Sequence, residues 1–464
     1  MFYKTVLVIT DKFPPEVSGG AELSLNNMLS EMNYHNMRVV VAALSPGRYE
    51  LKKDIYRDRT VYRIPFEDSW PVSTVSAGKL RMSYRLLKYL LRNFTKGNFK
   101  SIYRLGLASV VRKLWPREAG TLPLMDADYL INSRAASILG KVVEEVNPDV
   151  IHADNYRSIV LANNLDSSVP VISYVRDNRF FCGHKNQATN VRGDICNICD
   201  KSCVDRRFPL PVERSVKHLM SESLQIRQKA LASSAVIATT SQFLCDQVQS
   251  VLPGREVVKI PNLIEPARHV DVAQEGISRS SVPEILVVGM IGHNKGQAQL
   301  VDIAKHLKAM VGDFRIVIAG RGQMAEKVLS DAESEGLRDH FWVTGFLGRE
   351  ELYRVYARST VVACPTIWPE PFGRVPFEAA MSSRPVVAYA VGGLKENIID
   401  RETGILVNPR DKRAFASAVA ELINDEDLAK VMGRRARDHV LSLFERQNSA
   451  QKLTDQWEAL AFNE

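Results

Sequence analysis

The chain has 464 residues, 45% of them hydrophobic and 25% charged, with 26 glycines and 21 prolines. At about 150 residues per domain that length predicts two or three domains, and the balanced composition excludes a collagenous, fibrous or largely disordered protein. The net charge of +8 is concentrated in one stretch, since eleven Lys and Arg and no acidic residue lie between Asp68 and Glu118, which favours a local anionic partner over a globally basic nucleic-acid binder.

No run of about 18 uncharged apolar residues occurs, so no segment reads as a bilayer-spanning helix. In the opening MFYKTVLVIT, the apolar core from Val6 to Thr10 is too short for a secretory signal before Asp11-Lys12 interrupts it, and a cytoplasmic location is expected. Residues 5–10 read as a strand, Pro14-Pro15 and Gly19-Gly20 as loop, and 21–32 as a helix on the spacing of Leu25, Met28, Leu29 and Met32. Buried strands are predicted at 38–44, 148–152, 170–174, 235–238 and 257–261. Residues 266–283 lose apolar periodicity and read as a linker. A second series of strands follows at 285–289, 314–320, 341–345, 360–365, 385–390 and 404–407, each with a helical pattern behind it. A helix at 411–424 and a tail over 426–464 close the chain. Two successive βα series predict an α/β protein with Rossmann-like domains at 1–265 and 284–425, facing each other across a central cleft.

Two segments stand outside that series. In the insertion 70–121, Arg81, Arg85, Lys88 and Arg92 recur at steps of 4, 3 and 4, on one helical stripe beside Leu80, Leu86, Leu90 and Phe94. Such a helix can lie on an anionic membrane surface, or pack on its own domain with a solvated charged face. The second is the loop 182–203, where Cys182, Cys196, Cys199 and Cys203 can form a four-thiolate structural zinc site, with His184 as a substitute ligand, or can remain reduced thiols. Cys245 and Cys364 lie in apolar runs and are expected in the core.

The sharpest motif is Pro369-Glu-Pro-Phe-Gly-Arg-Val-Pro-Phe-Glu378. Its carboxylates, Glu370 and Glu378, can accept from hydroxyl groups of one ligand, and the backbone N–H groups of Phe372-Gly373 at a helix start favour a phosphate. Upstream, the loop Val288-Gly-Met-Ile-Gly-His-Asn-Lys-Gly296 contains Gly289 and offers Lys295 as a point charge for a diphosphate.

Together with Gly19-Gly20 and Glu22 at the first helix start, these segments resemble glycosyltransferase family 4, retaining sugar-nucleotide transferases of the two-domain GT-B architecture. The resemblance covers nearly the whole chain and is strongest from 285 to 408. It implies that Glu370 and the backbone of Phe372 and Gly373 hold the donor sugar and diphosphate, with Gly289 in the same donor site. Glu378 would hold the ribose, and Lys295 would neutralise the diphosphate. Gly19, Gly20 and Glu22 would sit on the acceptor or phosphate side, and the C-terminal tail would cross back to the first domain. Two positions depart from the family pattern. Met290 replaces an Arg, leaving Arg374 or Arg321 as the second diphosphate cation. Arg176-Asp177 replaces a His-Asp pair, so Arg176 can bind a phosphate or a hydroxyl but cannot serve as a general base.

The resemblance implies a nucleotide-sugar as substrate and no catalytic metal. The implied acceptor is a glycan hydroxyl, on a lipid-linked glycan in surface polysaccharide synthesis if the basic stripe meets an anionic membrane surface at the inner face of the cell membrane. No nucleic acid partner is expected. A soluble transferase acting on a small metabolite or free polysaccharide is the first alternative. A non-enzymatic nucleotide- or nucleic-acid-binding protein with a zinc knuckle is the remote one, and Tyr84, Tyr89 and Tyr103 among the basic residues would be its stacking groups.

Overall fold

The computed structural model describes residues 4–16, 20–32, 37–46, 50–66, 134–183, 196, 199, 201, 210–263, 281–292 and 295–462. The basic insertion, most of the linker, Gly19, His184 and Cys203 lie outside the described residues, and with them Arg81, Arg85, Lys88 and Arg92. Among the described residues no helix is long and apolar enough to cross a membrane.

The first sheet contains β1 (Lys4–Thr10), β2 (Met37–Pro46), β3 (Lys52–Tyr56), β4 (Arg59–Phe66), β5 (Val150–Asp154), β6 (Val171–Val175), β7 (Val236–Thr239) and β8 (Val257–Lys259). Their order is β3-β4-β2-β1-β5-β6-β7-β8. Neighbours run parallel except in the β3–β4 hairpin. Within β1, Val6, Leu7, Val8 and Ile9 are all fully buried. Leu7 and Ile9 share a core with the helix Arg134–Val146, whereas Val6 and Val8 face the helices Gly20–Glu31 and Ser449–Phe462. Cover on both faces explains a continuous apolar run where a half-exposed strand would alternate.

The β3–β4 hairpin is absent from the sequence-based expectation. Its two-residue turn is Arg57-Asp58, both left-handed with φ of 46° and 64°. Such turns usually advertise themselves as Asn-Gly or Asp-Gly, and Arg-Asp carries no such signature.

The second sheet is parallel throughout and contains β9 (Glu284–Val288), β10 (Arg315–Ala319), β11 (Phe341–Gly345), β12 (Val361–Cys364), β13 (Val386–Tyr389) and β14 (Gly404–Val407). The order is β11-β10-β9-β12-β13-β14. Chain direction through the sheet therefore reverses between β9 and β12, and a crevice opens beyond their carboxyl ends. Cys245 and Cys364 are buried, as expected.

The tail also follows expectation. The helix Glu426–Gln447 packs Ala436 and Val440 against Phe372, Phe377, Ala380 and Met381 of the second domain. The chain then turns at Asn448, and the helix Ser449–Phe462 inserts Ala450, Leu453, Trp457 and Ala461 into the first-domain core. Trp457 is fully buried. Truncating a buried Trp costs about 3–5 kcal/mol, so the return crossing is a substantial part of the first domain's core.

Candidate active site

A cavity of ≈ 320 Å³ lies between the two domains at the carboxyl ends of β9 and β12. Gly289, Lys295, Glu370, Phe372, Gly373 and Arg374 line it from the second domain, and Gly20, Ala21, Arg176, Asp177 and Asn262 from the first. Hydrogen bonds hold its rim together. Asn178 Nδ2 donates to the Pro369 carbonyl at 2.9 Å, and Ser241 Oγ donates to that of Pro371. The backbone N–H groups of Gln242 and Phe243, at the start of the helix Gln242–Val251, donate to the Glu396 carboxylate at 2.8 and 2.7 Å.

Two helices begin at this cavity. Gly20 and Ala21 open the helix Gly20–Glu31, and Arg374 to Pro376 open the helix Arg374–Met381, which Gly373 initiates with φ 83°. Orphan N–H groups and the helix dipole make each start favourable for an anion, and here two starts from different domains share one cavity. Beside them Lys295 Nζ forms an ion pair with Glu370 and lies 4.9 Å from the Trp368 ring centre. The two residues expected to bind different parts of one ligand are thus ion-paired to each other.

Glu378 lies behind this wall. Its Oε2 accepts from the Tyr356 hydroxyl at 2.9 Å, and its Oε1 from Arg374 Nε and Nη2 at 3.3 and 3.2 Å. Burial, reinforced by Glu378, raises the Tyr356 pKa well above its ordinary value. Arg374 Nη1 donates in turn to the Gly20 carbonyl at 2.8 Å. Glu378, Arg374 and Gly20 therefore form a brace between the domains. Arg321 is exposed outside the cavity wall, 6.0 Å from the Phe346 ring centre. Of the two candidate second cations, Arg374 lines the cavity and Arg321 does not. Met290 is 62% exposed.

On the first-domain side, Arg176 Nε donates to both Asp154 oxygens at 2.7 and 2.9 Å, and Nη1 donates to Asn262 Oδ1. Its guanidinium lies 4.1 Å from the Tyr174 ring centre. Burial works against the Asp154 charge, but Arg176 and His152 together outweigh it and hold the carboxyl pKa below its ordinary value. Arg176 is thereby a fixed group in the cleft. Asp154, Asn262, Trp368 and Tyr356 went unmarked in the sequence. The one available signal was for Asp154, an acidic residue ending an apolar strand beside the strand that precedes Arg176. Glu22, in the first turn of its helix, is outside the cavity wall and has a buried Oε2 with no hydrogen-bond partner among the described residues.

The expected zinc site is not supported. Among the described residues no group of three or more His, Cys, Asp or Glu could hold a metal ion. Cys182 is buried in the first domain, and Cys196 and Cys199 are partly exposed. The Cys-x2-Cys spacing permits a knuckle, and two of its expected partners, Cys203 and His184, lie outside the described residues.

A second titrating group lies nearby. Asp11, just beyond β1, accepts from Ser158 Oγ at 3.2 Å. Burial, opposed by Arg157 and Arg179, raises its pKa from 3.8 to about 6. The folded chain then holds this proton more tightly than the unfolded chain, so the stability it contributes is full below the unfolded value and is lost as pH rises through about 6. Asp11→Asn, permanently neutral, is expected to melt above the unmodified protein on the alkaline side of that window. The gain should shrink toward pH 4 in a series of thermal melts; a gain that grows toward acid would contradict the assignment.

Comparison with known proteins supports a sugar-nucleotide glycosyltransferase of GT-B architecture. Residues 273–439 match the family model for glycosyl transferases group 1. The chain is 29% identical over 309 residues to a glycogen synthase of Mycobacterium tuberculosis, covering 65% of this chain and 67% of that enzyme. It is 31% identical over 179 residues to the GDP-mannose-dependent alpha-(1-6)-phosphatidylinositol monomannoside mannosyltransferase of the same organism. That match covers 37% of this chain and under half of the enzyme, 46%. Among solved structures, sucrose-phosphate synthase from Thermosynechococcus elongatus superposes with a TM-score of 0.67 at 17% identity, over 98% of this chain and 99% of that one. Anabaena HepE in complex with UDP superposes at 0.61 and 15% identity, over 98% and 100%.

Proposed function

We propose that this protein is a retaining glycosyltransferase that moves a sugar from a nucleotide-sugar donor to a glycan hydroxyl on a lipid-linked acceptor. The observation that carries the reading is the Lys295–Glu370 ion pair at two helix starts in the interdomain cavity. A diphosphate entering there competes for Lys295, and the released Glu370 is left facing the hydroxyls of the attached sugar. Glu370 then accepts from hydroxyl groups in place of the ammonium, which favours a donor that carries both a diphosphate and a sugar. Rate acceleration then comes from fixed orientation and from stabilising the departing diphosphate with Lys295 and two helix dipoles. Arg176, neutralised by Asp154, can donate to a ligand oxygen but takes no proton from the acceptor. The leaving diphosphate can take that proton, which is consistent with retention. Proton NMR of the first-formed product tests this directly: the donor's anomeric configuration should persist, and its inversion would overturn the retaining mechanism.

Localisation at the inner face of the cell membrane belongs to the same proposal and rests on the charge pattern of residues 70–121. Each Lys or Arg near anionic lipid contributes about 1 kcal/mol, so replacing Arg81, Arg85, Lys88 and Arg92 together by Gln should weaken vesicle binding by roughly two orders of magnitude or more. Donor hydrolysis in solution should persist, and added salt should weaken vesicle binding of the unmodified protein. Sedimentation with vesicles that ignores the substitution, the lipid charge and the salt would remove the membrane from the proposal.

A further inference from the structure

The C-terminal helix reaches the cleft through a line of buried polar groups. Trp457 Nε1 donates to His152 Nδ1 at 3.3 Å, with the ring centres 5.6 Å apart in edge contact. Burial holds the His152 pKa below its ordinary value, so the imidazole is neutral. A neutral imidazole that accepts at Nδ1 carries its proton on Nε2. That nitrogen lies 3.8 Å from Asp154 Oδ2, beyond hydrogen-bond distance, and has no hydrogen-bond partner among the described residues. It acts on the carboxylate through its dipole, and Asp154 is the carboxylate that grips Arg176. Trp457 and His152 are fully buried and Asp154 is 1% exposed, so these contacts are shielded from bulk solvent.

We propose that Trp457 is a positioning residue for Arg176. Its indole N–H selects the imidazole tautomer that turns an N–H toward Asp154, where the other tautomer would set a lone pair against a carboxylate oxygen. The favoured tautomer turns its N–H dipole toward the carboxylate, and the carboxylate holds the guanidinium at the cavity wall. Trp457 sits on the helix that directly follows Glu426–Gln447, which is packed on the second domain. The placement of Arg176 in the first domain is thereby tied to the donor-binding domain through the chain's own return crossing. The inference rests on the reading of the cavity as a sugar-nucleotide site.

The test is a double-mutant cycle of Trp457→Phe and Arg176→Gln, with transfer kinetics, thermal melts, UDP affinity and 15N NMR of the imidazoles. Phe fills the Trp site without the donor. Trp457→Phe should lower kcat roughly five- to tenfold, the scale of one hydrogen bond, with the donor KM within about twofold. The His152 signals should move away from the Nε2–H tautomer. In the Arg176→Gln background the same change should cost nothing further, because the pathway has lost its end point. Should Trp457→Phe fail to fold, Asp154→Asn against Arg176→Gln tests the inner half of the line by the same non-additivity. An equal loss in both backgrounds would make Trp457 a packing residue and overturn the inference, as would unchanged kcat in Trp457→Phe. Wild-type transfer by Arg176→Gln would remove the arginine's role and the inference with it. If the unmodified protein consumes no nucleotide-sugar, the underlying reading of the cavity is what fails.

Discussion

Glu370→Ala is expected to lower sugar transfer by roughly two orders of magnitude or more, the loss typical of one transition-state contact of about 3 kcal/mol. The Lys295–Glu370 ion pair adds a second, less intuitive result. Lys295 is paired with Glu370 at the cavity wall, so a nucleoside diphosphate competes with that carboxylate for the lysine. Glu370→Gln removes the competing charge while preserving shape. It should therefore bind UDP, used as a bare diphosphate probe, more tightly than the unmodified protein by roughly tenfold, since a charge-assisted contact contributes about 1.5–3 kcal/mol. Calorimetric titration reads the difference. Weaker UDP binding by Glu370→Gln would show that Glu370 supports the diphosphate and does not compete with it.

Gly296→Ala is expected to disable the donor site through the backbone alone. Gly296 has φ 76°, and a Cβ there would lie 1.7 Å from the Pro365 carbonyl oxygen and 2.6 Å from its carbon. No flexible side chain can yield, so the Lys295 loop and the segment leading to Glu370 must separate. A stability loss of about 2–3 kcal/mol and loss of nucleotide binding should follow. Gly336→Ala is the control, because Gly336 also has a positive φ, 66°, with nothing within 4 Å of the added atom. It should show only the cost of the left-handed backbone, about 1 kcal/mol, with nucleotide binding intact. Equal losses in the two variants would mean that the clash at Pro365 is relieved cheaply.

The parts of this molecule that are local in sequence were legible from it. Strands buried on both faces read as uninterrupted apolar runs, as β1 does, and Glu370, Lys295 and Gly373 announce themselves through spacing and the loops they occupy. The return of the tail to the first domain was expected from the resemblance, but the side-chain contacts made across the domains and by that tail were not legible. The Arg374 contact to Gly20 spans 354 residues and the Trp457 contact to His152 spans 305, and no periodicity records such pairings. The same limit applies to Glu378, whose expected contact with ribose takes no account of the Tyr356 and Arg374 groups that already hold its carboxylate. The cysteine spacing is less decisive. Cys196 and Cys199 suggest a metal knuckle, but a site also requires its flanking ligands to converge, and no such group occurs among the described residues.

Incubating the purified chain with a panel of UDP-, GDP- and ADP-sugars and measuring nucleoside diphosphate release addresses the central claim most directly, with Glu370→Ala and Lys295→Ala run in parallel. At least one donor should be consumed by the unmodified protein, and both variants should lose that consumption while remaining folded. A folded, unmodified chain that neither binds nor consumes any of these donors, or variants that consume them at the unmodified rate, would contradict a sugar-nucleotide site built on Lys295 and Glu370.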